Sequence, residues 1–127
     1  MRIAVSAGGR TPDSKVEDRF GRCSYFVLVD EEGNHLETLT NTSLDSPQGA
    51  GIAAAQLLIN TKVDAILTGR VGPKALKPLQ TAGIKIYTGV SGTVEQSVGL
   101  FQKGKLKEIE KAGDTVPGRR RAARGGI

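Results

Sequence analysis

The sequence predicts an α/β domain: a five-stranded mixed sheet with three helices, in the order β-β-β-α-β-α-β-α. Three observations predict it. Short runs rich in Val, Ile and Leu alternate with stretches of helical period through the second half of the 127 residues. In the first half, a turn-forming Gly-Asn pair separates two strand-like runs, as in a hairpin. The length suits one domain, and the 38% of hydrophobic residues, only 4% aromatic and without Trp, supply an aliphatic core. A chain of this size buries roughly two-thirds of its surface, so folding requires neither a disulfide nor a metal.

Residues 2–6 form the first expected strand, short and mostly buried. A polar, glycine-bearing loop follows from Ala7 to about Arg22. Residues 24–30 (Ser-Tyr-Phe-Val-Leu-Val-Asp) are β-branched and aromatic at strand length. Glu31-Glu32-Gly33-Asn34 is the turn, where Gly33-Asn34 suits positive φ. Residues 35–40 return as the partner strand, with Leu36 and Leu39 as its main apolar residues. From Gly49 the period changes: Ile52, Ala55, Leu58 and Ile59 share one helical face. Residues 63–67 are a buried strand. Residues 68–72 are a loop, and Pro73 then takes a favoured first helical position. Ala75, Leu76 and Leu79 give this second helix its face, and Pro78 should disturb its last turn. Residues 84–87 are the fifth strand. Thr93-Val94-Glu95-Gln96 has the form of a capping box, and Val94, Val98 and Phe101 line the third helix up to Gly104. Strands alternating with helices imply right-handed crossovers and parallel pairing in the second half. Residues 1–110 make the expected domain. Residues 111–127, rich in Gly, Arg and Ala, carry no periodicity and are expected to be a disordered basic tail.

Composition narrows function. The net charge of +5 comes largely from Arg119, Arg120, Arg121 and Arg124, beyond the last acidic residue. Without those four, the 18 basic residues fall to 14 against 13 acidic ones, so the folded part lacks the basic face of a nucleic-acid binder. The first apolar run stops at Ser6, too short for a signal segment, and no stretch approaches the roughly 18 apolar residues of a membrane helix. Cys23 is the only Cys and has no internal disulfide partner. A cytoplasmic location with Cys23 reduced is the expectation.

In mixed sheets of this kind, ligands bind at the carboxyl ends of the parallel strands. That edge collects Gly8 and Gly9, the start of the antiparallel strand at Arg22-Cys23-Ser24, the loop from Asn41 to Gly51, residues 69–73 and residues 89–92. Three helices begin there, with unpaired N–H groups and partial positive charge. Arg10, Arg19, Arg22 and Arg70 fall in the same loops. The edge should attract an anion, its glycines Gly8, Gly69, Gly72 and Gly92 allowing close approach, with Cys23 a soft metal ligand beside it.

These rim segments carry a family resemblance. Asp18-Arg19-Phe20-Gly21-Arg22-Cys23-Ser24-Tyr25-Phe26 resembles the Phe-Gly-Arg signature of the dinitrogenase iron-molybdenum cofactor biosynthesis family. So do Gly49-Ala50-Gly51, Gly69-Arg70-Val71-Gly72-Pro73-Lys74-Ala75, residues 82–87 and Gly92-Thr93-Val94-Glu95, in order over about residues 1–108. The resemblance implies a three-layer ribonuclease-H-like fold. It also implies a labile iron-sulfur or iron-molybdenum-type cluster as cofactor, bound by Arg19, Arg22, Gly8, Gly69, Arg70, Gly72 and Gly92 with Cys23 on the metal. Several nitrogenase-linked members carry His just before Phe-Gly. Here that position is Arg19, and the only His, His35, lies in the hairpin, so this chain is more similar to the stand-alone members.

A cluster normally takes four Cys or an equivalent set. With one Cys per chain, it must be shared between chains, as in a homodimer, or arrive with its own ligands. Expected partners are therefore proteins that donate or accept the cluster, with no membrane and no nucleic acid. The bland alternatives are a half-buried Cys23 and surface arginines paired with Glu17 or Asp18. Residues 69–73 lack the spacing of a P-loop, so nucleotide hydrolysis is not expected. Nuclease chemistry needs clustered carboxylates for two metals, and the first strand offers Ser6 in place of an acid. A non-catalytic carrier is the leading expectation. A regulatory or scaffold protein that binds a small anion at the same rim is the alternative.

Overall fold

A computed structural model of the chain describes residues 1–43 and 49–110. The expected basic tail, with Arg119 to Arg121 and Arg124, lies outside the described residues. β1 (Ile3–Ala7) leads through a long loop and a 3-10 turn (Phe20–Arg22) to β2 (Tyr25–Val29) and β3 (His35–Thr40). Then follow α1 (Ala50–Thr61), β4 (Ala65–Leu67), α2 (Pro73–Thr81), β5 (Lys85–Thr88), α3 (Val94–Gln102) and β6 (Lys107–Glu108).

The six strands lie in the order β3-β2-β1-β4-β5-β6. β1, β4 and β5 are mutually parallel, and the β2–β3 hairpin and β6 run against them. The expected five-stranded sheet is therefore corrected to six. β6 is two residues long, too short to display a period, and is fixed by Ile109, which is buried and donates its N–H to the Ile86 carbonyl at 2.7 Å.

Period-two alternation along the strands separates two cores. Ala4, Phe26, Leu28, Ile66 and Ile86 face Ala54, Ala55 and Leu58 of α1 and Ala75, Leu76 and Leu79 of α2. Ile3, Val5, Val27, Val29, Ala65 and Leu67 belong to the other core, with Val94 and Val98 of α3. The result is three layers, with α1 and α2 on one side of the sheet and α3 on the other.

The hairpin turns at Gly33, at φ +91°, and Asp30 fastens it: Oδ1 accepts the N–H groups of Glu32 and Asn34, both at 2.9 Å. The Asn34 N–H, followed by its side-chain amide, lowers the Asp30 pKa below the ordinary carboxylate value. α2 runs on through Pro78 to Thr81, and the Pro78 carbonyl accepts the Ala82 N–H at 3.0 Å. No helix among the described residues is long and apolar enough to cross a membrane.

Candidate functional site

The carboxyl ends of β1, β4 and β5, the start of β2 and the end of β3 share one edge, as the alternation of elements predicts. On the α1/α2 side of this edge lies a groove of about 320 Å³, lined by Arg19, Phe20, Gly21, Arg22, Ala50, Gly51, Arg70 and Gly72.

The 3-10 turn builds its floor. Phe20 is buried and its ring lies 5.5 Å from that of Phe26. Gly21 packs on the first turn of α1 so closely that a Cβ would meet Gly51 Cα and N at 2.8 Å. Arg70 is joined from β4's end: its N–H donates to the Asp18 carbonyl at 2.6 Å, and its carbonyl accepts the Phe20 N–H at 3.0 Å.

Asn41 ties the turn down from beneath. It is buried, its amide donates to the carbonyls of Gly21 (3.3 Å) and Cys23 (2.8 Å), and its Oδ1 accepts the Ser43 N–H at 3.1 Å. Its side-chain amide nitrogen and oxygen are thus both engaged within the chain.

The electrostatics favour an anion. Arg19, Arg22 and Arg70 are exposed at the groove. Arg70 Nε donates to Asp18 Oδ2 at 3.2 Å, but no carboxylate among the described residues pairs with the guanidinium of Arg19 or Arg22. α1 begins at Gly49 and α2 at Gly72, which have no side chain to cap a helix, and neither first turn contains an acid. The N–H of Lys74 has no partner among the described residues. Partial positive charge and free donors therefore meet three guanidinium groups.

The other expected site residues are placed differently. Cys23 is not on the rim. It is fully buried in the α1/α2 core, its thiol donates to the Phe20 carbonyl at 3.4 Å, and burial pushes its pKa up to about 12. A protonated, enclosed thiol packs as a small hydrophobe. Gly69 is buried under Asp18, whose carboxylate occupies the space a Cβ would need. Gly92 (φ +71°) makes room for the Gln96 side chain of the α3 cap, and Gly8 donates its N–H to Lys15 at 2.9 Å in the long loop. Neither lines the groove. Arg10 lies over the Tyr25 ring, 5.2 Å from its centre.

At α3 the edge is closed. Thr93 Oγ1 accepts the Gln96 N–H at 3.1 Å, and Gln96 Oε1 accepts the Thr93 N–H at 2.9 Å. The Ser14 and Pro12 carbonyls take the N–H groups of Val94 (2.9 Å) and Glu95 (2.8 Å). Among the described residues, no three or more His, Cys, Asp or Glu residues stand together to hold a metal ion.

Gly21, Ala50, Gly51 and Asn41 escaped assignment as site residues. The glycines at 21 and 51, in two separate rim segments, were the available signal for a close backbone contact. A lone Asn at a strand end carries none.

Known proteins share this architecture. The apo form of the orange protein from Desulfovibrio gigas superposes with a TM-score of 0.80 at 42% identity, over 87% of this chain and 93% of that one. A Thermotoga protein provisionally described as NifB gives a TM-score of 0.72 at 36% identity, over 84% and 91% of the two chains. An uncharacterized protein of Methanocaldococcus jannaschii is 31% identical over 113 residues, 87% of this chain and 92% of that one. The family model described as dinitrogenase iron-molybdenum cofactor matches residues 1–104. With most of its length matched by that model, the chain belongs to the dinitrogenase iron-molybdenum cofactor family.

Proposed function

We propose that this protein is a non-catalytic carrier for an anionic iron-sulfur or iron-molybdenum-type cluster, which is its cargo. The carrying observation is the pair of guanidinium groups, Arg19 and Arg22, with which no carboxylate among the described residues pairs, beside two glycine-started helices. The groove residues offer hydrogen-bond donors and positive charge, and among the described residues none of the side chains lining it is a Cys, His, Asp or Glu. They therefore suit a cluster that arrives with its own ligands. Guanidinium groups donate N–H to the cluster's outer atoms, and their planar, delocalised charge suits a large soft anion. Gly72, where a Cβ would meet nothing within 4 Å, keeps the backbone accessible. Support comes from the family assignment and from the D. gigas relative, whose structure is of an apo form. A cluster held only by its outer atoms is readily given up, as exchange with donor and acceptor proteins requires.

The test is anaerobic incubation with iron, sulfide and a small thiol that supplies the cluster's outer ligands, with and without molybdate, followed by desalting. Visible absorbance and iron per chain are recorded for the wild type, Cys23→Ala and Arg19→Ala/Arg22→Ala. Colour and iron should persist in the wild type and Cys23→Ala, and disappear in the arginine variant. Loss in Cys23→Ala with retention in the arginine variant would transfer the role to the thiol. No iron in the wild type would overturn the carrier role in favour of a small-anion-binding regulatory protein.

A further inference from the structure

We infer that Asp18 is an intramolecular competitor for Arg70, so that an anion large enough to take the Nε edge of Arg70 must displace the Asp18 carboxylate and is held more loosely for it. The inference deepens the anion-groove reading and rests on it.

Three features place the two side chains together. The backbones at 18–20 and at 70 are joined by two hydrogen bonds, Arg70 N–H to the Asp18 carbonyl and Phe20 N–H to the Arg70 carbonyl. Gly69, without a Cβ, leaves space into which the Asp18 carboxylate settles. From there Oδ2 accepts Arg70 Nε at 3.2 Å.

The pair is open to water, with the side chains of Arg70 and Asp18 exposed to 62% and 61%. Such a pair is weak and easily exchanged. Because the backbones are already fixed, it opens by side-chain rotation alone. Arg19 and Arg22 have no such partner among the described residues. A small anion satisfied by those two leaves the Asp18–Arg70 pair closed. A larger polyanion that also takes the Nε edge of Arg70 breaks it and leaves a carboxylate beside the bound charge. When the cargo leaves, the carboxylate recaptures Arg70. Asp18 thus sets an upper limit on retention, which a carrier needs and a permanent cofactor site does not.

The test is a double-mutant cycle. Tripolyphosphate, a soluble polyanion, is titrated by calorimetry into the wild type, Asp18→Asn, Arg70→Ala and the double variant, all at one ionic strength. Asp18→Asn keeps the shape against Gly69 and removes the charge. It should tighten binding roughly two- to fivefold in the wild-type background and leave the Arg70→Ala background unchanged. An equal gain in both backgrounds means that Asp18 acts by long-range repulsion, and overturns the inference. No gain in the wild-type background overturns it as well. If none of the four proteins binds tripolyphosphate while all melt normally, the anion-groove reading fails and the competitor role falls with it.

Discussion

The start of α3 and the starts of α1 and α2 lie on one edge of the sheet, but among the described residues only the first is closed by the chain's own groups. At α3, Thr93, Gln96, Pro12 and Ser14 occupy the leading N–H groups, and Glu95 supplies negative charge in the first turn. The cavity of about 170 Å³ beside α3 is lined partly by Glu32 and Glu95. At α1 and α2 the caps are glycines, the first turns hold no acid, and the adjoining groove is lined by three arginines. Among the described residues, one sheet edge thus has a self-satisfied side and an open, basic side. Position at the carboxyl edge does not make a binding site. The helix donors must also remain uncommitted.

The largest expected effect breaks the open side. Arg19→Ala with Arg22→Ala removes two charge-assisted partners at about 1.5 kcal/mol each. Affinity for tripolyphosphate should fall roughly a hundredfold in calorimetry, with the melting temperature unchanged because both side chains are exposed. Gly21→Ala comes next. Its Cβ would push against Gly51 backbone atoms at 2.8 Å, so urea unfolding should show a loss of about 2 kcal/mol, and the groove should weaken with it.

Thr93→Ala addresses the closed side. It removes the cap of α3 and should cost about 1 kcal/mol in the same unfolding experiment, with tripolyphosphate affinity unchanged. A fall in affinity there would dissolve the distinction between the two sides. The smallest effect lies away from both. The folded Asp30 pKa is lowered, so its contribution to the hairpin is present above the ordinary carboxylate pKa of about 4 and is lost as pH falls through the lower folded value. Wild type and Asp30→Asn should therefore differ in stability near neutral pH and converge in acid, as thermal melts across pH would show.

Much of the fold was legible because its signals are local. The capping box at Thr93–Gln96, the turn at Gly33, Pro73 at a helix start and the apolar runs of β2 and β4 each declare themselves within a few residues. β6 did not, because two residues cannot display a period and its partner β5 lies about twenty residues earlier. The site was legible in part. Arg19, Arg22, Arg70 and Gly72 meet at the groove because topology alone brings their loops to one edge. The same reasoning placed Cys23 there too, since it fixes where a residue's backbone lies and leaves the direction of its side chain open. Gly8, Gly69 and Gly92 show the same gap: each glycine answers to a neighbour in the chain's own packing, and none to the groove.

By itself the sequence determined the order of most elements, the sheet edge where the glycine- and arginine-bearing loops meet and the positive charge carried there. These follow from periodicity, caps and connection rules, which act over short stretches of chain. Only the tertiary structure decided which donors at that edge the described residues occupy. Glu95 and Pro12, Arg70 and Asp18, and Gly21 and Gly51 are distant in sequence, and their pairings depend on how layers and loops stack. Whether an N–H, a guanidinium or a thiol is available to a ligand depends on what else has already reached it.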